Sequence, residues 1–345
     1  MDRPGISGGR RFLFAVGVLV IVLAAAEVII RVAGVDTYFQ NRFFVLNRAL
    51  DYPDVFEKDY DLFWKLRSSR TVTSKFFEGK TYRINAHGLR GEEIDEVKTA
   101  PRILALGNSC TFGWGVPQRE TYASQLTAML GERYEVINGG VPGYSSLQGK
   151  RFFKRDLLSL QPDLILILFA WNDHWAAAAQ IADKDQQPPP RPLIAAQNLL
   201  SRLHLYRLLK KLLLSAIEKD PDVLFDRSQP VYRVGLDDYY SNLRALCGVA
   251  RSHGIRPVLI TSPIPSLEKY YPAGSVSNLH TYHGRYNDAV RRLARDERVE
   301  LIDLAAEFDR HDDLYDNAVR DPIHFNAKGH RIAAELIAEY LRKNP

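Results

Sequence analysis

Cysteine is almost absent from this chain: Cys110 and Cys247 are the only two in 345 residues. Two isolated thiols cannot build the disulfide framework that staples small secreted domains, so a packed core must hold the fold, and cysteine usage leaves the compartment open. Internal repeats are also lacking, which sets solenoid and propeller architectures aside. No block of like charge is present. The net charge of +5 comes from 46 basic and 41 acidic residues scattered along the chain, with a pI near 9.0. That balance implies mild attraction to anionic surfaces and no nucleic-acid footprint. No His/Asp/Glu group has ligand spacing such as H-E-x-x-H, so neither a metal nor a cofactor is expected, and Asp312 and Asp313 beside His311 read as a solvated loop. At 46% hydrophobic and 25% charged, the composition excludes wholesale disorder. The length suits one α/β domain of roughly 200 to 250 residues plus accessories.

What is present begins with one long apolar run. Residues 12–26 carry no charge, and Val28, Ile29 and Ile30 extend the run past Glu27. A helix over residues 12–35, rising ~1.5 Å per residue, reaches across a ~30 Å hydrocarbon layer. Arg3, Arg10 and Arg11 precede it with only Asp2 opposing. The positive-inside rule therefore places residues 1–11 in the cytoplasm and everything beyond residue 35 outside, in the periplasm or extracellular space. A cleaved signal peptide with Ala24, Ala25 and Ala26 at its end is the alternative; the run is long for one, and both readings export the rest. Glu27 and Arg31 lie four apart and can pair on one helix face.

Residues 36–100 are aromatic and charged, with short extended candidates at 71–77 and 80–85, and read as an N-terminal extension packed on a main domain, residues 101–345. There a regular alternation begins. Strands are expected at 102–106, 134–137, 164–169, 257–261 and 300–302, and helices at 121–130, 146–160, 239–253, 286–296 and 327–342. The run LILILF at 164–169 is too continuously apolar to face water, so it predicts a central parallel strand covered on both sides. The fold expected is a three-layer α/β/α sandwich with a central parallel sheet and right-handed crossovers. Residues 176–235 break the rhythm with a Pro-rich turn at 186–192 and a helix at 199–217 bearing Arg202, Arg207, Lys210 and Lys211. Such an insertion reads as a surface helix, as a cap over a pocket, or as a basic, leucine-rich helix on a membrane surface.

Four short blocks carry chemistry. Leu106-Gly107-Asn108-Ser109-Cys110 follows the first strand of the alternation, so the Ser109 hydroxyl lies at the carboxyl edge of the sheet, where open α/β proteins place their sites. Cys110 either packs a small side chain beneath that turn or is itself a nucleophile, and the downstream blocks fit a serine enzyme better. Asn138-Gly139-Gly140-Val141-Pro142-Gly143 follows the next strand; Gly143 is either an ordinary turn or a backbone N–H bared toward a ligand. Ala170-Trp171-Asn172-Asp173 closes the apolar strand. Asn172 offers an amide NH2 able to donate to an oxyanion, and Asp173 is expected to cap a following helix. In Asp321-Pro322-Ile323-His324, a carboxylate three residues away on a turn can orient the imidazole. His330 is expected to pack or face solvent.

In their order and content these blocks resemble the SGNH hydrolases, also called the GDSL esterase/lipase family. The likeness covers roughly residues 102–340 with the insertion excepted. It implies a flavodoxin-like sheet, no cofactor, a catalytic triad of Ser109, His324 and Asp321, and an oxyanion hole made by the N–H groups of Ser109 and Gly143 with the Asn172 amide. It further implies hydrolysis of ester-linked acyl groups through an acyl-serine. With an exported location, O-acetyl groups on an extracytoplasmic glycan or lipid become the expected substrate. A sugar hydroxyl in place of water would make the same apparatus an O-acyltransferase, and a silent glycan-binding or scaffold domain is a third possibility. Asn108 stands where the family has aspartate, and Trp171 where many members have glycine. The stretch from Arg83 to Arg90, RINAHGLR, looks like a segment preceding the domain in membrane-anchored members, and no role in chemistry follows from its sequence.

Overall fold

A computed structural model describes residues 8–37, 52–73, 79–177, 180–217, 231–265, 277–318 and 320–344. The chain starts with α1, Gly8–Ala33, a helix of 26 residues with none buried, long and apolar enough to cross a bilayer. Two antiparallel hairpins follow. Strands β1 (Phe56–Asp59) and β2 (Phe63–Leu66) form the first, and β3 (Arg70–Thr73) and β4 (Thr81–Ile84) the second. The first pair was not expected, because four-residue strands with charges on both faces give almost no period-two signal. Of the extended candidate at 71–77, residues 74–77 lie outside the described residues. The extension is bonded to the main body: Trp64 Nε1 donates to the Pro142 carbonyl (3.2 Å), Tyr144 OH to the Trp64 carbonyl (2.8 Å) and Gln148 Nε2 to the Leu62 carbonyl (2.6 Å).

The main body runs β5 (Arg102–Gly107), α2 (Ser109–Phe112), α3 (Tyr122–Leu130), β6 (Glu135–Gly140), α4 (Ser146–Phe152), β7 (Leu164–Leu168), α5 (Arg191–Leu200), α6 (His204–Ile217), α7 (Leu236–Ser252), β8 (Arg256–Ile260), α8 (Ser277–Asp296), β9 (Glu300–Ile302), α9 (Leu304–Phe308) and α10 (Ala327–Lys343). Strands β5 to β9 form one parallel sheet in the order β6-β5-β7-β8-β9. This is the flavodoxin-like order, in which the chain leaves the first strand toward one edge and then crosses to the other, opening a crevice at the carboxyl ends of the central strands.

Alternate side chains of each central strand enter opposite cores. Leu104, Leu106, Ile165 and Ile167 meet Phe152, Tyr239, Leu243 and Leu293 on one face; Ile103, Ala105, Leu164 and Leu166 meet Leu126, Ile337 and Leu341 on the other. Burying each such leucine or isoleucine contributes about 1.5 to 3 kcal/mol. That two-sided demand explains why these strands are continuously apolar.

Three helices depart from expectation. The helix expected at 146–160 is α-helical only to Phe152, then widens into a π turn, Phe153–Leu157, and ends in a 3-10 turn, Leu158–Leu160. The last helix before β9 begins at Ser277 instead of Tyr286. The expected helix at 199–217 is two helices, α5 and α6, broken at Ser201, Arg202 and Leu203. The break has a physical cause: α5 is tied to β1 by paired bonds between Asn198 and the Lys58 backbone (2.8 and 2.9 Å), while the freed N–H groups of His204 and Leu205 turn to the Glu27 carboxylate of α1 (3.1 and 2.8 Å).

Candidate active site

Strand β5 delivers Ser109 to the sheet edge through a tight junction. A side chain at position 107 would sit 2.1 Å from Thr111 Oγ1 and 2.6 Å from the Leu168 carbonyl, so only glycine lets β5 turn at once into α2. Asn108 caps that helix, its side-chain oxygen accepting the Cys110 N–H at 2.9 Å. The neutral amide therefore performs the local task that a carboxylate performs in a G-D-S sequence. Across the ladder Gly107 aligns with Gly140 of β6 and Leu168 of β7, so the segments running on to Ser109, Gly143 and Asn172 leave the same edge side by side.

The loop before α10 supplies the rest. His324 Nε2 lies 2.8 Å from Ser109 Oγ, and its Nδ1 lies 2.7 Å from Asp321 Oδ2. Asp321 Oδ1 also accepts the N–H groups of Ile323 and His324, both at 3.1 Å. Burial raises the Asp321 pKa, but the bonds from His324 and the two backbone donors outweigh it, and the carboxyl is held below the ordinary range. Residues 215 apart in sequence thus meet within hydrogen-bonding reach.

Gly143 adopts φ +82°, a left-handed conformation suited to glycine, and its carbonyl accepts Arg233 Nη1 at 2.8 Å. Its N–H and that of Ser109 donate to no other group among the described residues. Asn172 is buried; its Oδ1 has no partner among the described residues. Ala170, two residues earlier, is fully buried at φ +149°. Backbone strain of this kind costs about 1 to 3 kcal/mol and persists where the surroundings over-determine it.

Asp173 corrects an expectation. Among the described residues no α-helix starts at it; instead its Oδ1 accepts the Ser146 N–H (2.8 Å) at the first turn of α4, across the sheet edge. Burial pushes its pKa up to about 7 against the opposing Ser146 bond. A free aspartate titrates near pH 4, so between about pH 4 and 7 the folded chain holds a proton that the unfolded chain lacks. The group's contribution to stability therefore falls as pH rises through that window. We expect the urea midpoint of the wild type to lose ground to Asp173→Asn between pH 5 and pH 8; a difference flat with pH would refute the shift.

Cys110 is buried, and burial raises its thiol pKa far above the ordinary range. Its Sγ donates to the Ile323 carbonyl (3.3 Å), tying the serine turn to the histidine loop instead of offering a nucleophile. His330 is fully buried, stacks on Tyr122 and accepts that residue's N–H (3.2 Å); burial pushes its pKa down to about 3, so it stays neutral.

Two contributors were missed. Trp114 stacks on the His324 ring, with centroids 5.3 Å apart and planes at 23°. Arg90, 1% exposed, donates to the carbonyls of Phe112 (2.9 Å), Gly113 and Val116 (2.7 Å) and to Gln118 Oε1 (2.9 Å), and its guanidinium lies 4.0 Å from the Tyr82 ring centroid. The RINAHGLR segment thus supports the loop that carries Trp114. The sequence marks that segment only by its likeness to one that precedes the domain in membrane-anchored members, and nothing there assigns Arg90 a role.

A serine, an imidazole and a carboxylate bonded in series at the carboxyl edge of a parallel sheet define the class: an α/β protein with the arrangement of a serine hydrolase. The GDSL-like Lipase/Acylhydrolase family model matches residues 105–332, and the chain belongs to that family. It is similar to the isoamyl acetate-hydrolyzing esterase of Saccharomyces cerevisiae, 27% identical over 106 residues that cover 29% of this chain and 44% of the yeast protein. It is also similar to the acetylxylan esterase of Xylanibacter ruminicola, 34% identical over 82 residues covering 21% and 17% of the two chains. The chain therefore spans less than half the length of these relatives. Among solved structures, the lipase/acylhydrolase from Enterococcus faecalis superposes with a TM-score of 0.45 at 17% identity, covering 71% of this chain and 96% of that one.

Proposed function

We propose that this chain is a serine esterase that removes short acyl groups, acetyl foremost, from an extracytoplasmic glycan or lipid. The observation that carries the reading is the unbroken series Ser109 Oγ, His324, Asp321 at 2.8 and 2.7 Å. In the proposed mechanism His324 Nε2 takes the Ser109 proton as Oγ attacks the ester carbonyl, and Asp321 stabilises the imidazolium that forms. The tetrahedral oxyanion is met by the N–H groups of Ser109 and Gly143 and by the Asn172 NH2. His324 returns the proton to the leaving alkoxide, and water, activated by the same imidazole, releases acid from the acyl-serine. The names of the two relatives, one acting on isoamyl acetate and the other on acetylxylan, support acetyl as the acyl group.

The reading predicts turnover of p-nitrophenyl acetate by the full chain in neutral detergent, falling with acyl length. Asn172→Ala should lower kcat about 10²- to 10³-fold. Unchanged turnover in that variant would remove the amide from the oxyanion hole.

For location, the proposal is that α1 spans a membrane with Arg3, Arg10 and Arg11 on the cytoplasmic side and the α/β domain outside. Protease added to intact spheroplasts should then digest the domain; protection without permeabilisation would reverse the topology.

A further inference from the structure

Where α1 meets the junction of α5 and α6, a cavity of about 280 Å³ has walls made largely of arginine: Arg31, Arg67, Arg70, Arg202 and Arg207, with His204. One carboxylate, Asp54, shares the wall. Three of the cations are partly neutralised from behind. Arg31 pairs with Glu27 (3.0 Å), Arg207 with Asp36 (3.0 Å) and Arg67 Nη1 with Glu57 (3.2 Å). Arg70 and Arg202 are exposed and make no ion pair among the described residues. Arg67 is 6% exposed, and its Nη2 is buried without an acceptor among the described residues. Burial lowers the Arg67 pKa, and the charges of Arg70 and Arg202 lower it further against Glu57 and Asp54. Like charges are thus held together with donor capacity left over, which is the signature of a place built for an anion.

The neighbouring helix says where that anion comes from. Helix α6 is turned inside out. Two of its cations face inward, Arg207 to the Asp36 carboxylate and Lys211 Nζ to the Asp36 carbonyl (2.9 Å), while Leu209 and Leu213 stand 57% and 59% exposed, with Leu212 and, at the junction, Leu203 also out. The Glu27 carboxylate caps its first turn, so the helix is fastened to the end of α1. A leucine face fastened at the end of an apolar span lies at the boundary of headgroups and acyl chains. The arginine cavity, walled in part by Arg31 in the last turn of α1, then sits at headgroup depth.

The geometry points to this cavity as a binding site for the phosphate of an anionic phospholipid headgroup, held by the guanidinium groups of Arg70, Arg202 and their neighbours, with the α6 leucines in the acyl layer. Planar guanidinium forks match phosphate oxygens two at a time, which lysines would not. The site rests on α1 as the membrane span and is independent of the ester chemistry.

The test uses the full chain in neutral maltoside detergent, titrated calorimetrically with dihexanoyl phosphatidylglycerol below its micelle concentration and, separately, with inorganic phosphate. Binding in detergent does not depend on which side of a membrane the domain faces, so a failed topology experiment leaves this readout standing. We expect saturable lipid binding that weakens at least about tenfold in Arg70→Gln/Arg202→Gln, with p-nitrophenyl acetate turnover within about twofold of wild type. Inorganic phosphate should bind at least about tenfold more weakly than the lipid. Unchanged lipid affinity in the double variant overturns the site, and equal affinity for phosphate and lipid overturns the headgroup assignment. If the double variant misfolds, seen as lost turnover, Arg202→Gln alone carries the same comparison, because this exposed side chain makes no bond among the described residues.

Discussion

Replacing Ser109 with alanine is expected to lower kcat for p-nitrophenyl acetate by about 10⁴-fold or more, to abolish labelling by a fluorophosphonate probe, and to leave the thermal midpoint near that of the wild type. The size follows from what is removed. In the proposed mechanism no acyl-enzyme can form without Oγ, and His324, Asp321 and the proposed oxyanion donors can only assist direct attack by water. The fold should tolerate the change. Ser109 Oγ makes its bond to His324, a residue 17% exposed that keeps its Asp321 bond and its stack on Trp114. His324→Ala should cost a similar factor, and the double variant little more than either alone, because the two act as one unit. Multiplying losses would mean that serine and histidine work separately, and an active, probe-labelled Ser109→Ala would end the serine-esterase reading. Cys110, with its thiol pKa raised by burial, gives such a variant no substitute nucleophile.

Much of the candidate site was legible because the residues it gathers are marked locally. Ser109, Gly143 and Asn172 each follow an apolar strand by a few residues, and a parallel sheet gathers such positions at one edge whatever lies between. The Asp321–His324 pair needed only one turn. Contacts made across the fold left no comparable mark. Asp173 looks like the cap of the next helix, and which helix it bonds depends on where α4 begins relative to β7, a packing fact. The leucine periodicity of 199–217 runs straight through Ser201, Arg202 and Leu203, and the break exists because Asn198 and Glu27 hold the two halves to different partners. Periodicity also gave α6 an apolar face without saying that this face points away from the protein. The inward cations become intelligible only once Asp36 is beneath them.

Arg90 is the largest of these silent contributions, and its replacement should be the most damaging change outside the site itself. Its guanidinium is fully enclosed and serves the carbonyls of Phe112, Gly113 and Val116, the backbone that leads from the serine turn through Trp114. Arg90→Lys keeps the charge but offers one compact ammonium where a planar fork reached three acceptors. The Phe112 carbonyl still accepts Asn138 Nδ2 (3.3 Å) and the Gly113 carbonyl the Val116 N–H (3.4 Å), so the Val116 carbonyl is the one left without a partner among the described residues. A buried carbonyl left unpaired costs about 1 to 3 kcal/mol, and the variant should lose about that much of the roughly 5 to 15 kcal/mol that holds a typical domain together. Activity should fall as well, measured at a temperature where circular dichroism reports the variant folded. The loop that slackens carries the indole stacked on His324, and a misplaced imidazole lowers kcat by about tenfold or more. KM for p-nitrophenyl acetate should change little, because none of these bonds touches an acyl group. A purely architectural arginine would lower the unfolding midpoint and leave kcat of the folded fraction untouched. The discriminating measurement is therefore kcat per folded active site, titrated with a fluorophosphonate, in Arg90→Lys against wild type: a ratio near one would confine Arg90 to stability.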